Sequence, residues 1–237
     1  MPEAVKRKPG RPGRLSRAAI VDAAIALLDR APRESLTASR IAAAVDAVPA
    51  ALYRHFESID ELFDEILARI FRRIEVDVSR TTWERQLSDW MQAVREQLLR
   101  YPALGPLIGR LGRTSPAWLE VSAIPVDILQ RAGVGDADLP RTHLWICETT
   151  MALGIQEATL SFADQMRGAE ASLEPLSERS RERLETVLAG LAGLDGDAFF
   201  AFVVERTIDA VGSLPRKARK GRIAPGGRPG RRPRSRP

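Results

Sequence analysis

Leu36-Thr37-Ala38-Ser39-Arg40-Ile41-Ala42-Ala43-Ala44-Val45, then Asp46-Ala47-Val48, then Pro49-Ala50-Ala51-Leu52-Tyr53-Arg54-His55-Phe56 is the stretch that decides how this chain is read. Thr37 is of the type that caps a helix N-terminus, its hydroxyl accepting from a backbone N–H of the first turn, and Ile41 sits at the heart of the short segment ending at Val45. Asp46 to Val48 is too short for anything but a tight turn. Pro49 suits a first helical position, where its missing N–H is no loss, and opens a second short helix through Ala51, Leu52, Tyr53 and His55. Two short helices joined by so few residues form a helix-turn-helix, whose second member enters the major groove of DNA.

Working outward, Ile20, Ala23, Ala24, Leu27 and Leu28 share one helical face after Ser16, and Pro32 ends that run. Ser58 and Glu61 form a capping-box pattern ahead of Leu62, Phe63, Ile66, Leu67, Ile70, Phe71 and Ile74, a long amphipathic helix. Another helix runs from Trp83 through Leu87, Trp90, Met91, Val94, Leu98 and Leu99 and stops before Pro102. Prolines and glycines between Tyr101 and Pro125 predict short or kinked helices there. From Asp138 to about Met166 a single long helix is expected, with Leu144, Cys147, Met151, Ile155, Ala158 and Phe162 on one stripe. A polar helix at Leu176 to Leu191 and an apolar one at Ala198 to Leu214 complete the body. No stretch alternates with period two, so the fold class is all-α.

The 237 residues are enough for one or two domains with their own cores, at roughly 100 to 200 residues each. The single cysteine, Cys147, cannot form an intramolecular disulfide and is expected to be a buried, inert thiol. Met1 to Arg17 has no apolar segment of the signal-peptide kind, and no window approaches the roughly 18 apolar residues of a membrane span, so a cytoplasmic protein is expected. The net charge of +5 is distributed unevenly. Residues 1–17 carry +5 and residues 216–237 carry +10, which leaves −10 for the acidic body between them. Two basic ends on an acidic body is the asymmetry of a nucleic-acid partner. The last 22 residues hold ten cations, four glycines and four prolines, too little apolar surface to order. The expected organisation is a basic disordered arm at 1–14, a helix-turn-helix DNA-binding domain at 15–74, a second helical domain at 79–214 and a basic disordered tail at 215–237.

The stretch from Leu36-Thr37 through Ile41-Ala42 to Leu52-Tyr53-Arg54-His55-Phe56, followed by Glu61-Leu62, closely resembles the N-terminal domain of TetR/AcrR-family regulators, over about Leu15 to Ile70. The rest of the chain fits that family in general form, as a helical ligand-binding and dimerisation domain. The resemblance implies a homodimeric repressor on a palindromic operator, released when a small molecule enters the second domain. It also implies that Tyr53 and His55 contact backbone phosphates and that Thr37 lies where the helix N-terminus faces phosphate. Pro49, Ala50, Ala51 and Arg54 then face base edges, with Arg54 the one able to make a bidentate contact to guanine.

Three positions depart from the family pattern. Asp46 replaces the usual turn glycine, Val48 the small hydroxyl residue that caps the recognition helix, and Ile59 a lysine that contacts phosphate. Each removes a polar contact or backbone freedom. Gly10-Arg11-Pro12 and Gly227-Arg228-Pro229 resemble the core of minor-groove AT-hook segments. Arg11 and Arg14, just before the first helix, are therefore expected to recover affinity through counterion release. The alternative function is a constitutive architectural protein that coats A·T-rich DNA through these arms.

An enzyme finds little support. With His55 and His143 the only histidines, there is no His-Glu-x-x-His, no nucleophile elbow, no phosphate loop and no dinucleotide fingerprint, and no metal or cofactor is assigned. Trp90, Met91, Val94, Leu107, Leu111, Trp118 and Val121 are candidate walls of a ligand pocket, with ordinary core packing the competing role. Few charges look buried, which points to an apolar or amphipathic effector. For the dimer, Met151, Ile155, Ala158 and Phe162 with Phe199, Phe202, Val203, Thr207 and Val211 are expected to form a two-helix face that closes a four-helix bundle with its symmetry mate.

Overall fold

Short polar side chains set most of the helix starts. The structure, a computed structural model, describes residues 15–77, 82–108 and 115–215 and is all-helical there. Its helices are α1 (Arg17–Arg30), α2 (Ala38–Ala44), α3 (Pro49–Leu52), α4 (Ile59–Phe71), α5 (Trp83–Arg100), a 3₁₀ helix (Pro102–Leu107), α6 (Pro116–Arg131), α7 (Leu139–Thr159), α8 (Phe162–Ala171), α9 (Glu178–Gly190) and α10 (Gly196–Ser213). Ser16, Thr37, Ser58, Thr82, Ser115, Ser161, Ser177 and Asp195 each accept from a backbone N–H of the first turn that follows. The capping box of α4 differs slightly from the expected pattern. Ser58 accepts from the Glu61 N–H, but the Glu61 carboxylate accepts from the N–H of Glu57, one residue earlier than the usual partner.

Two expectations about helix continuity are corrected. Pro125 does not end a helix: it lies inside α6, which continues to Arg131. A proline there withdraws the N–H that would have bonded the Val121 carbonyl. The indole of Trp90 supplies a donor instead, Nε1 to the Val121 oxygen at 3.0 Å, and His143 Nε2 donates to the neighbouring Ser122 carbonyl at 2.6 Å. The long run expected from Asp138 to Met166 is two helices, because Leu160 is extended and Ser161 caps α8 by accepting from the Asp164 N–H at 3.2 Å. Leu144 also leaves the expected stripe and is 59 % exposed.

One continuous apolar core runs from Ile20 of α1 to Val211 of α10. Helices α5 and α7 pack so closely that a Cβ at Gly154 would lie 2.6 Å from Leu98 Cδ1. Helix α4 carries the core from the helix-turn-helix into the later helices, where its Phe71 ring meets Trp118 of α6 at 6.1 Å. Cys147 is buried, and burial, with the Glu148 charge a lesser cause, pushes its thiol up to about 12, so it stays protonated and unreactive. Among the described residues no helix is long and apolar enough to cross a membrane.

A polar joint fastens the end of α1 to the later helices. The Tyr101 hydroxyl donates to Asp29 at 2.8 Å and accepts from Arg73 at 2.8 Å, while Arg100 bonds the same Asp29 oxygen at 3.2 Å. The Tyr101 bond, then Arg100, holds the Asp29 carboxyl below its ordinary range, and burial with the Asp29 contact raises Tyr101. Next along the chain, Pro32 O accepts from the Ala103 N–H at 3.1 Å, and Arg33 donates to the Ala158 carbonyl at 3.0 Å.

Candidate nucleic-acid interface

The turn between α2 and α3 is a complete Schellman motif. The Ala47 N–H bonds Ala42 O at 2.9 Å and the Asp46 N–H bonds Ala43 O at 3.2 Å, with Asp46 in the left-handed region at φ 52°. Val48 follows as the N-cap of α3 with no side-chain hydrogen bond, 66 % exposed. Pro49 occupies the first turn as the sequence predicts.

Helix α3 is short, and two buried side chains fix its orientation. Leu52 and Phe56 insert into the core, and the turn continues past the helix, with the N–H groups of His55 and Phe56 both bonding Leu52 O at 2.9 and 3.0 Å. With that side inward, Pro49, Ala50, Tyr53 and Arg54 are exposed and Ala51 and His55 are half-buried. Thr37 is exposed at the start of α2, its oxygen accepting from the Arg40 N–H at 3.3 Å. These residues, with Val48, lie on one continuous structural unit. Ile59 is half-buried against the core. Arg11 and Arg14 lie outside the described residues.

The sequence reading missed the clamp behind this face. Arg17 places its guanidinium 4.3 Å from the centre of the Phe56 ring, donates to the His55 carbonyl, and pairs with Glu61 at 2.8 Å and Glu65 at 2.6 Å. Those carboxylates raise the Arg17 guanidinium, and the Glu57 N–H followed by Arg17 lowers Glu61. Arg40 is turned inward, to Glu34 and the Ser35 carbonyl. Both arginines therefore serve the fold of the unit. A cation three residues before the first core residue of α1, Ile20, was the only local sign of the clamp.

The candidate pocket residues that the structure describes pack in the core. Trp90, Met91, Val94, Leu107, Trp118 and Val121 are buried, with the Trp90 and Trp118 rings 6.2 Å apart, and Leu111 lies outside the described residues. Val121 also borders a groove of about 220 Å³ between α4 and α6. A better enclosed cavity of about 260 Å³ sits elsewhere, between α7, α8 and the start of α10. Two residues expected at the dimer face, Phe162 and Phe199, stack on each other at 5.5 Å within one chain and line it. Of the others, Met151, Ala158, Thr207 and Val211 are buried, Ile155 and Val203 are half-buried, and Phe202 is 54 % exposed. Among the described residues no cluster of three or more His, Cys, Asp or Glu side chains is placed to hold a metal ion.

An all-helical chain that presents a helix-turn-helix with an outward second helix is a DNA-binding regulator by class. Residues 20–66 match the model of bacterial regulatory proteins, tetR family. An HTH-type transcriptional regulator of Saccharopolyspora erythraea is 28 % identical over 178 residues, 75 % of either chain. Among solved structures, ActR of Streptomyces coelicolor in complex with actinorhodin superposes with a TM-score of 0.68 at 20 % identity, covering 84 % of this chain and 96 % of that one. BioQ with its natural double-stranded DNA operator gives 0.60 at 21 %, covering 84 % and 99 %. At such identities the two structures bear on the fold. Residues 20–66 are thus similar to the tetR family, and the later helices share the fold of these structures.

Proposed function

We propose that the protein is a homodimeric transcriptional repressor that binds a near-palindromic operator in double-stranded DNA and leaves it when a small molecule binds among its later helices. The observation that carries this reading is the exposed face of α3, where Leu52 and Phe56 anchor the helix and Pro49, Ala50, Tyr53 and Arg54 are offered outward, with Ala51 half-buried at its edge, beside Thr37. Residues 15–74 act as the DNA-binding unit and 79–214 as the ligand-binding and dimerisation unit, in the cytoplasm. Tyr53, His55 and the N-terminus of α2 contact phosphates, and Arg54 reads a guanine. The likeness in fold to a protein crystallised with actinorhodin and to one crystallised with its operator supports both halves of the reading.

For the dimer, apolar side chains left open on α7 and α10 are the natural seam: Leu144 and Trp145 on the first, Phe202 on the second. A twofold mate covering both helices forms a four-helix bundle and spaces two copies of α3 for successive major grooves. Met151, Ala158, Thr207 and Val211 then serve the core of one chain. The ligand acts through the joint at Asp29, Tyr101 and Arg73, by favouring a separation of the two recognition helices that misfits DNA. Its effect is bounded by its differential affinity for the two states.

The deciding experiment is selection and sequencing of random duplex DNA with the full chain at about 150 mM salt, where nonspecific attraction is screened. One enriched inverted repeat is expected. Enrichment of A·T content without a palindrome would overturn the reading in favour of the architectural alternative. On the selected site, Arg54→Ala should lose about 1–3 kcal/mol of binding and relax the preference at a single base pair, with stability unchanged. The arms are tested by deleting residues 1–14: the salt dependence of binding should flatten by about 0.9 in log–log slope for each phosphate no longer neutralised. An unchanged affinity and slope would exclude Arg11 and Arg14 from the interface.

A further inference from the structure

We propose that the cavity between α7, α8 and α10 is a binding site for a small aromatic cation of the arylalkylamine type. Its walls suit a flat ring. Phe162 and Phe199 stand 5.5 Å apart at an interplanar angle of 27°, with Leu153, Met166 and Phe200 as further apolar walls and the neutral amides of Gln156 and Gln165, bonded to each other at 2.6 Å, as polar ones, around about 260 Å³. The ionisable side chain on that lining is Glu157.

The charge around Glu157 selects the sign of the occupant. Arg95 of α5 is 3 % exposed and lies behind the cavity, its guanidinium 4.9 Å from the centre of the Phe200 ring. It bonds Glu157 through two nitrogens, at 2.6 and 2.7 Å, and Asp197 of α10 at 2.8 Å. Two carboxylates thus share one buried guanidinium: Glu157 on the lining, and Asp197, 87 % exposed, whose excess negative charge is partly screened by solvent. An anionic ligand meets the carboxylates and is kept from the arginine. An ammonium group can use the second lone pair that each Glu157 oxygen retains. Gly196 preserves this geometry, because a Cβ there would run into the Glu157 carboxylate. The site also abuts the joint to the helix-turn-helix, since Glu157 is followed by Ala158, whose carbonyl accepts from Arg33. The inference stands beyond the proposed DNA function and is tested without DNA.

The test is calorimetric titration of the full chain at pH 7 with tryptamine and with indole-3-propionate, which share a ring and differ in the sign of the side-chain charge. Tryptamine is expected to bind at least about tenfold more tightly than the acid. Met166→Trp fills the cavity from α8, a helix with no buried residue, and should abolish tryptamine binding while leaving the unfolding temperature in place. Glu157→Gln, which keeps a hydrogen-bond acceptor for Arg95, should lower tryptamine affinity about tenfold by removing the charge. Equal or tighter binding of the acid would overturn the proposal, as would tryptamine binding indifferent to both substitutions. So would the absence of heat with tryptamine up to about 10 mM, too weak for a built site. Loss of self-association in Met166→Trp with tryptamine binding intact would also overturn it, and would assign the cavity to a side chain of a second copy.

Discussion

Helices α3 and α6 both begin with a proline in the first turn and both break a rule of helix construction, yet only α6 is repaired. Ser115 caps α6, Trp90 and His143 supply donors to the carbonyls around Pro125, and Gly133 takes the left-handed position at its end with φ 79°. There the Schellman pair closes with the Val134 N–H on Leu129 O and the Gly133 N–H on Gln130 O, both at 3.0 Å. The turn before α3 follows the same hydrogen-bond pattern at the end of α2 but with Asp46 at φ 52°, and the N-cap of α3 is Val48, whose side chain makes no capping hydrogen bond. The buried helix has each local defect compensated, and the exposed one keeps its defects. Under the proposed DNA-binding role, α3 is the helix whose exposed surface is used, and tolerated local cost is expected at such a place.

The comparison breaks most severely at Trp90. Trp90→Ala leaves both a cavity and an orphaned Val121 carbonyl, and should cost about 3–5 kcal/mol in denaturant unfolding. Trp90→Phe keeps most of the ring and removes the donor, so it isolates the repair at Pro125. An expected loss of about 1–3 kcal/mol measures the unsatisfied carbonyl. A Trp90→Phe protein as stable as the parent would mean that α6 needs no repair at Pro125. Next in size, Gly133→Ala places a Cβ in the left-handed region and should cost about 1–2 kcal/mol.

The helix-turn-helix was readable because its determinants are local. Thr37, Asp46, Pro49 and Ser58 act on backbone within a few residues, and each stands in the role its chemistry implies. The later helices were found by periodicity, but periodicity does not say what a stripe faces. Trp90 and Trp118 read as either pocket walls or core and are buried, and for Trp90 the demand for an indole donor comes from a proline 35 positions along the chain, Pro125. Met151, Thr207 and Val211 read as a dimer face and are buried within one chain, while Leu144 and Trp145 went unremarked as exposed apolar groups. Arg95 was the missed signal: a cation on the apolar side of α5, beside Met91, Val94 and Leu98, required carboxylates from elsewhere.

On the unrepaired side the effects are smaller and of opposite sign. Val48→Thr gives α3 the side-chain acceptor it lacks and should stabilise the protein by about 0.5–2 kcal/mol. It also adds a hydroxyl to the face proposed to meet DNA, so affinity for the selected site should rise. A gain in stability without a gain in affinity would confine the defect at Val48 to folding.

The smallest effect is expected at Asp46, where two terms nearly cancel. A non-glycine residue in the left-handed region costs about 1–2 kcal/mol, less for aspartate because its short polar side chain tolerates that geometry. Asp46→Gly removes this cost but adds about 0.5–1 kcal/mol of chain entropy to be lost on folding. The net gain should be near 0.5 kcal/mol, just within reach of paired denaturant curves. Asp46→Ala supplies the contrast, since alanine has neither glycine's freedom nor a side chain that hydrogen-bonds locally, and it should lose about 1 kcal/mol. Read beside Gly133→Ala, the pair gives the cost of the same backbone conformation at an exposed turn and at a half-buried helix end. If Asp46→Ala and Asp46→Gly are equally stable, the left-handed conformation costs alanine no more than the chain entropy that glycine adds, about 0.5–1 kcal/mol.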